Sequence, residues 1–330
     1  MPLLEARGVN VVYEPPGGTR VWSVRNVNLA LDRGELVGLV GESGCGKSTL
    51  GYALVRLLRP PARLESGEIW FDGDEITRLE GEELRRKRRA GFAIVLQSGM
   101  NALNPVRTIE GHFADVMRAH ARVAGEVVER RASELLELVH LESQTLHRFP
   151  HELSGGMRQR VAIALALALD PRLVVFDEPT TALDVIVQHA VIDTIQELQR
   201  EIGFTALLIS HDLGLVLDAT DRVLVMYAGE IVEDQPAEQM RIEARHPYTR
   251  ALLDCYDDPR ADEIHLEGIP GTPPDLTRPI DYCPYAPRCP WRERICDEVD
   301  PPLDPLPDAD DALVACHVAQ RLAREGASAV

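Results

Sequence analysis

Residues Gly41-Glu42-Ser43-Gly44-Cys45-Gly46-Lys47-Ser48-Thr49 fit the spacing G-x-x-x-x-G-K-[ST]. A loop of this kind can cradle a triphosphate. Glycines at 41, 44 and 46 let successive backbone N–H groups turn inward around phosphate oxygens, and a helix N-terminus behind them adds partial positive charge. Within it Lys47 reaches the β- and γ-phosphates and Ser48 ligates Mg²⁺, while Ser43, Cys45 and Thr49 complete the cradle. A second chemical grouping, Leu173-Val174-Val175-Phe176-Asp177-Glu178, ends four apolar residues in two acids. Acids at the carboxyl end of a parallel strand stand where such sheets bind ligands. Asp177 suits the Mg²⁺ shell and Glu178 suits a general base acting on water. The bland alternatives are a Gly-rich turn with an ordinary lysine and a strand followed by a solvated acidic turn.

These groups need elements to hold them. Leu36-Val37-Gly38-Leu39-Val40 reads as a buried parallel strand and Leu50 to Val55 as an apolar helix, so the loop has the strand-to-helix setting it requires. From Leu3 to about Val95 the pattern is strand-rich, punctuated by turns at Pro15-Pro16-Gly17-Gly18, Asp32-Arg33-Gly34 and Asp72-Gly73. Residues of about 97–165 read as a helical insert. Strand character returns at Leu173–Phe176, Ala206–Ile209 and Val223–Met226, with a helix over Val185 to Gln199. Such alternation predicts an α/β chain with a parallel sheet and crossover helices. After about Gln235 the composition turns Pro-rich and Cys-bearing, which places a domain over 1–235 and an extension over 236–330.

The chain has 330 residues, 45% of them apolar and 27% charged, as befits a globular protein with a sizeable core. No run approaches the ~18 to 20 apolar residues of a membrane span, and no signal peptide is expected at the start. The cytosol is the expected compartment. A net charge of −18 disfavours a nucleic-acid surface, and the basic run Arg85-Arg86-Lys87-Arg88-Arg89 reads as a solvated helix end.

Between the two chemical groups stands Leu153-Ser154-Gly155-Gly156-Met157-Arg158-Gln159-Arg160, opening a helix. With it the sequence resembles the ABC transporter ATPases over nearly its whole length. The resemblance implies a P-loop NTPase fold (an ABC ATPase) with a β-rich N-terminal subdomain, a helical subdomain insert and a small Pro-rich C-terminal extension. In that family the signature loop faces the γ-phosphate bound by the opposite subunit, so Ser154, Gly155 and Gly156 would complete a site in trans; taken alone, Ser-Gly-Gly is also a helix cap. Gln97 matches the glutamine that touches Mg²⁺ or water and relays nucleotide state to membrane subunits. His211, in Ser210-His211-Asp212, matches the switch histidine that steadies Glu178, water and γ-phosphate. Thr181-Ala182-Leu183-Asp184 matches the loop through which two ATPase subunits touch, with Asp184 its acid. Tyr13, 34 residues before Lys47, is the candidate for stacking on adenine, the other reading being an ordinary edge-strand tyrosine.

Finer wording resembles the dipeptide/oligopeptide (peptide/nickel) importer ATPases of the first-ATPase type: Leu103-Asn104-Pro105, Met157 within the signature, Thr180-Thr181-Ala182-Leu183-Asp184-Val185, and His246-Pro247-Tyr248-Thr249-Arg250-Ala251-Leu252-Leu253. Gln97-Ser98-Gly99-Met100-Asn101-Ala102 departs from the commoner wording of its loop. The resemblance implies ATP and Mg²⁺ as ligands and a second, non-identical ATPase subunit. It also implies two transmembrane permease subunits, an extracytoplasmic solute-binding protein, and a place on the cytoplasmic face of the cell membrane. Rival readings are an ABC ATPase acting on DNA or ribosomes and a metal- or redox-responsive ATPase. Cys283, Cys289, Cys296 and Cys316, with five, six and nineteen residues between them, suggest a metal in a chain expected to lack disulfides. Cys-Pro turns at 283 and 289 favour iron–sulfur ligation, with zinc or no metal as alternatives, and some peptide-importer ATPases are associated with a 4Fe–4S cluster. Cys45 and Cys255 read as structural.

Overall fold

The computed structural model describes residues 1–97, 102–119, 122–181, 183–255 and 268–326. The chain begins with strands β1 (Leu4–Tyr13), β2 (Val21–Leu31) and β3 (Leu36–Val40), helix α1 (Lys47–Leu54), and strands β4 (Ala62–Phe71) and β5 (Asp74–Glu75). Next come α2 (Gly81–Gly91), β6 (Phe92–Val95), α3 (Ile109–Arg118), α4 (Gly125–Leu138), α5 (Gly155–Ala166), β7 (Leu173–Asp177), α6 (Val185–Ile202) and β8 (Thr205–Ile209). The last stretch contains α7 (Leu213–Ala219), β9 (Arg222–Tyr227), β10 (Glu230–Pro236), α8 (Ala237–Ile242), α9 (Pro247–Asp254), β11 (Asp304–Leu306), β12 (Ala309–Val314) and α10 (His317–Glu325).

Two compact units form, and neither is continuous in sequence. The first takes Met1–Leu3, Leu31–Leu36 and the described residues of Arg78–Ile209; the second takes Leu4–Ala30, Val37–Thr77 and the described residues from Ser210 onward. In the first unit β6, β7 and β8 run parallel, with Phe92 opposite Leu173 and Leu173 opposite Thr205. β7 and β8 are buried along their whole length, which explains their unbroken apolar sequence. Helices α3, α4 and α5 fill the stretch read as helical, and the N-terminus of α3 is fixed by Thr108, whose hydroxyl accepts the Gly111 N–H. α6 is bounded by an Asp184 cap and by Gly203 in the left-handed region at φ 78°.

The second unit has two sheets. One orders its strands β2-β1-β4-β5. In the other β3 lies parallel to β9, and β9, β10, β12 and β11 follow antiparallel. Gly38 in the middle of β3 lets α7 lie close, because a Cβ there would stand 2.1 Å from Val216 Cγ1. The stretch after Gln235 does not stand apart. β12 pairs with β10, Glu233 opposite Val314 and Asp234 opposite Leu313, so the extension continues the sheet that carries β3. Its own small core joins Leu306, Val314, Cys316, Val318 and Ala323.

Candidate nucleotide site

In the second unit β3 runs straight into the loop predicted to hold phosphate. Gly41 (φ 151°) and Gly46 (φ 111°) occupy backbone that side chains avoid, and backbone closes on both: a Cβ would sit 2.1 Å from Met226 O at Gly41 and 2.2 Å from Ser23 O at Gly46. Helix α1 starts from Gly46 with no side chain capping it, the kind of helix start that suits an anion. Lys47 is 5% exposed and its ammonium donates to Gly41 O at 2.7 Å and Glu42 O at 3.0 Å, spanning the loop. Ser43 and Gly44 are exposed, and Ser48 is half-buried in the first turn. Thr49 is buried where the Tyr13 hydroxyl (3.1 Å) and the Ser23 hydroxyl (3.2 Å) meet its Oγ1, so Tyr13 does reach the loop helix. Cys45 is buried, and burial pushes its thiol pKa up, as expected of a packing residue.

The loop is backed by the β9–β10 hairpin, whose turn residues Ala228 (φ 48°) and Gly229 (φ 88°) have the paired positive φ of a tight hairpin. Gly229 N–H donates to Cys45 O at 2.9 Å. From the extension, Tyr248 Oη accepts the Glu42 N–H at 2.9 Å, and Arg288 forks the Glu42 carboxylate at 2.7 and 2.9 Å. Sequence reasoning assigned Met226, Ser23, Tyr248 and Arg288 no role. Tyr248 was nevertheless visible inside the His246-Pro247-Tyr248 run, and Arg288 directly before Cys289.

In the first unit Asp177 is 2% exposed at the end of β7. Glu178 follows at φ 46°, an uncommon conformation for a non-glycine residue, held by its N–H to Ile209 O at 2.9 Å. Its Oε2 accepts from Gln97 Nε2 at 3.0 Å and Thr181 Oγ1 at 2.9 Å, so two predicted site residues, Gln97 and Glu178, meet directly. Ser154 caps α5, its Oγ accepting the Met157 N–H at 3.3 Å, and Gly156 packs so tightly that a Cβ would stand 2.6 Å from Val187 Cγ1. Asp184 caps α6 by accepting the Val187 N–H at 3.0 Å, and Val185 and Ile186 beside it are exposed. Ala182 of this loop and Ser98 to Asn101 of the glutamine loop lie outside the described residues. His211 belongs to the second unit and is exposed in the turn between β8 and α7, where Asp212 caps the helix.

The four cysteines share the extension. Cys283, Cys296 and Cys316 are buried and Cys289 half-buried. Each of Cys283 and Cys289 feels the charges of Cys296 and Cys316, and burial drives Cys283 up to about 12 and Cys289 to about 11. Backbone N–H groups of Tyr285 and Ala286 point at the Cys283 sulfur, that of Trp291 at Cys289 (3.3 Å) and that of Ala319 at Cys316 (3.5 Å). Among the described residues no three His, Cys, Asp or Glu side chains converge as ligands of one metal ion would.

Residues 24–181 match the family described as "ABC transporter", and residues 232–296 match "Oligopeptide/dipeptide transporter, C-terminal region". The chain is 40% identical over 310 residues to the oligopeptide transport ATP-binding protein OppD of Bacillus subtilis, covering 93% of this chain and 86% of that one. The chain belongs to the ATP-binding subunits of oligopeptide and dipeptide ABC transporters. The dipeptide transport ATP-binding protein DppD of the same organism is 38% identical over 91% of this peptide-transporter subunit and 90% of its own length. The dimeric bacterial ABC transporter cassette MJ0796 superposes with a TM-score of 0.63 at 30% identity, over 71% of this chain and 98% of its own. A second structure of that cassette is a post-hydrolysis state bound to ADP and Pi. The cassette fold read from the motifs is therefore the fold of this subunit, and the subunit is an ATPase.

Proposed function

We propose that this ATPase subunit energises import of di- or oligopeptides, or related small solutes, from the cytoplasmic face of the membrane. The carrying observation is the phosphate loop: Gly41 and Gly46 pressed against backbone, Lys47 spanning the loop, and an uncapped α1 N-terminus. The peptide-transporter relatives and the matched C-terminal region support peptides as cargo. No described helix is long and apolar enough to cross a membrane, so two permease subunits would supply the path and an extracytoplasmic solute-binding protein the cargo. The reading includes a second, non-identical ATPase subunit, and the relatives, named for oligopeptide and dipeptide transport, disfavour a role on DNA or ribosomes.

In this reading Lys47 exchanges its contacts with the loop carbonyls for β- and γ-phosphate oxygens, and the α1 N–H groups take the remaining charge. Tyr13, whose hydroxyl meets that of Thr49, would stack on the adenine in this reading. Ser48, Asp177 and Gln97 would hold Mg²⁺, which would neutralise charge on the phosphates when bound. Glu178 takes a proton from the attacking water, oriented by Gln97 and Thr181, and His211 steadies the γ-phosphate. Ser154, Gly155 and Gly156 would serve the nucleotide of the partner ATPase, and Asp184 would belong to the loop that meets that partner; Val185 and Ile186 beside it are exposed. Glu178→Gln is expected to keep Mg-ATP binding and abolish turnover in transporter complexes whose sister site is inactive; near-wild-type hydrolysis would overturn the assigned base.

The cysteines receive a separate proposal. Buried soft donors with N–H groups aimed at three of the sulfurs suit anionic thiolates, which burial alone disfavours unless a cation joins them. A 4Fe–4S cluster on Cys283, Cys289, Cys296 and Cys316 would suit that chemistry; among the described residues no three such side chains converge on a single ion, which disfavours one zinc. Iron and acid-labile sulfide per chain after anaerobic purification test it, with about four of each expected.

A further inference from the structure

Glu42 is held through all of its polar groups. Its N–H donates to Tyr248 Oη at 2.9 Å, its carbonyl accepts from Lys47 Nζ at 3.0 Å and Cys45 N at 3.3 Å, and its carboxylate accepts the Arg288 fork. Two of these ties come from more than two hundred residues away in sequence. We propose that Arg288 and Tyr248 of the C-terminal extension are positioning residues for nucleotide binding, fixing the mouth of the phosphate loop and neutralising the carboxylate it carries. This rests on the reading of residues 41–49 as the triphosphate site.

Arg288 is built for one position. Its side chain is 3% exposed, and all five guanidinium N–H groups find acceptors. Nε donates to Pro270 O at 2.8 Å, Nη1 to Glu42 Oε2 at 2.7 Å and Tyr227 Oη at 3.3 Å, Nη2 to Glu42 Oε1 at 2.9 Å and Ile269 O at 3.1 Å. The rings of Tyr227 and Tyr285 flank it at 5.7 and 5.9 Å. A lysine offers one compact charge and no fork, so it cannot reproduce this set. Tyr248 is equally fixed: its ring packs on Tyr227 at 4.6 Å and Tyr285 at 5.3 Å, and its helix is anchored by His246, whose Nδ1 accepts the Tyr248 N–H at 3.0 Å. Buried Glu233 in turn accepts the backbone N–H groups of Arg245 at 2.6 Å and His246 at 3.0 Å. A line of satisfied groups thus runs from β10 through α9 to the loop.

The electrostatic reason is direct. An unpaired carboxylate one residue past Gly41 would lie in the loop that receives a polyanion, and the Arg288 charge cancels it where solvent is largely excluded. A mere tether for the extension would need no such match. The two roles part on the neutral pair Glu42→Gln/Arg288→Gln, which removes the tether and the stray charge together.

The test is Mg-ATP affinity by titration calorimetry, with ATPase KM and kcat in the assembled transporter and thermal unfolding alongside. Arg288→Gln is expected to bind about tenfold to a hundredfold more weakly, with KM raised and kcat largely kept. The Glu42→Gln/Arg288→Gln pair is expected to regain most of that affinity, Arg288→Lys to fall between, and Tyr248→Phe to lose severalfold. If Arg288→Gln fails to fold, the double variant and Tyr248→Phe are compared with wild type instead. Wild-type affinity in Arg288→Gln and Tyr248→Phe, or a double variant as weak as Arg288→Gln, overturns the inference. Lys47→Ala separates the two layers: if it binds Mg-ATP like wild type, the phosphate-loop reading itself is wrong.

Discussion

Two helix starts in this subunit face the same chemical task and solve it differently. α1 begins at a left-handed Gly46 with no side-chain cap, on a loop closed in by the backbone of Ser23 and Met226. α5 begins at Ser154, whose hydroxyl satisfies the Met157 N–H, and Ser154 is exposed. The first is a helix start left without a side-chain cap and packed against backbone from behind, the second a finished helix end that is stable facing water. The contrast fits the proposed division, in which the first loop would bind nucleotide within its own chain and the second would meet nucleotide only when a partner closes.

The sharpest way to break this comparison is Lys47→Ala. Loss of the ammonium is expected to weaken Mg-ATP binding by about a hundredfold or more, read by calorimetry. Ser154→Ala should leave the isolated chain's affinity unchanged, and if both variants lose affinity equally the division into first and second binders is wrong. Next comes Gly41→Ala. Its Cβ would meet Met226 O at 2.1 Å in a conformation alanine avoids, and a loss of about 3 kcal/mol or more in urea unfolding is expected. Gly156→Ala meets a side chain, Val187, that can give way, so a loss of about 1 kcal/mol is expected. A smaller effect attaches to Ser154→Ala, about 1 kcal/mol or less in stability from the lost cap, with a larger fall in turnover of the assembled transporter.

The last prediction concerns the brace behind α1 and is silent at neutral pH. Burial lowers His246 to about 3, so the folded state refuses a proton that the unfolded chain accepts below about 6.5. Its contribution is therefore present above that value and lost as pH falls toward 3. Glu233, raised to about 7 by burial, acts oppositely: its contribution is present at low pH and is lost as pH rises from about 4.5 to 7. Comparing His246→Asn, which retains a capping acceptor, with wild type cancels the Glu233 effect. The stability difference is expected to shift toward the variant as pH drops from 7.5 to 5; a difference independent of pH would mean His246 titrates normally.

Local chemistry was legible in the sequence. The strand–loop–helix around Lys47, the acids after β7 and the capping serine before α5 each lie in one short stretch, and each is where the pattern placed it. The pairing of Gln97 with Glu178 was not legible: the resemblance implied a role for each, but 81 residues separate them and nothing in the sequence joins them. What closes the loop was not legible, because Met226 O, Ser23 O, Tyr248 Oη and Arg288 reach it through long-range strand pairing and packing. Backbone carbonyls carry no residue-type signal at all. Near Gln235 the shift to proline and cysteine was legible as a change of composition, but not the way β10 runs across that point and pairs with β12.

That strand pairing limits how the gene can be cut. Removing the residues beyond Pro236 would strip β12 from β10 and leave a strand unpaired along Val232, Glu233 and Asp234. Such an edge recruits other chains, so the shortened cassette would tend toward self-association and precipitation during expression. The cysteine-bearing tail acts in this sense as a built-in solubility cover for the ATPase sheet.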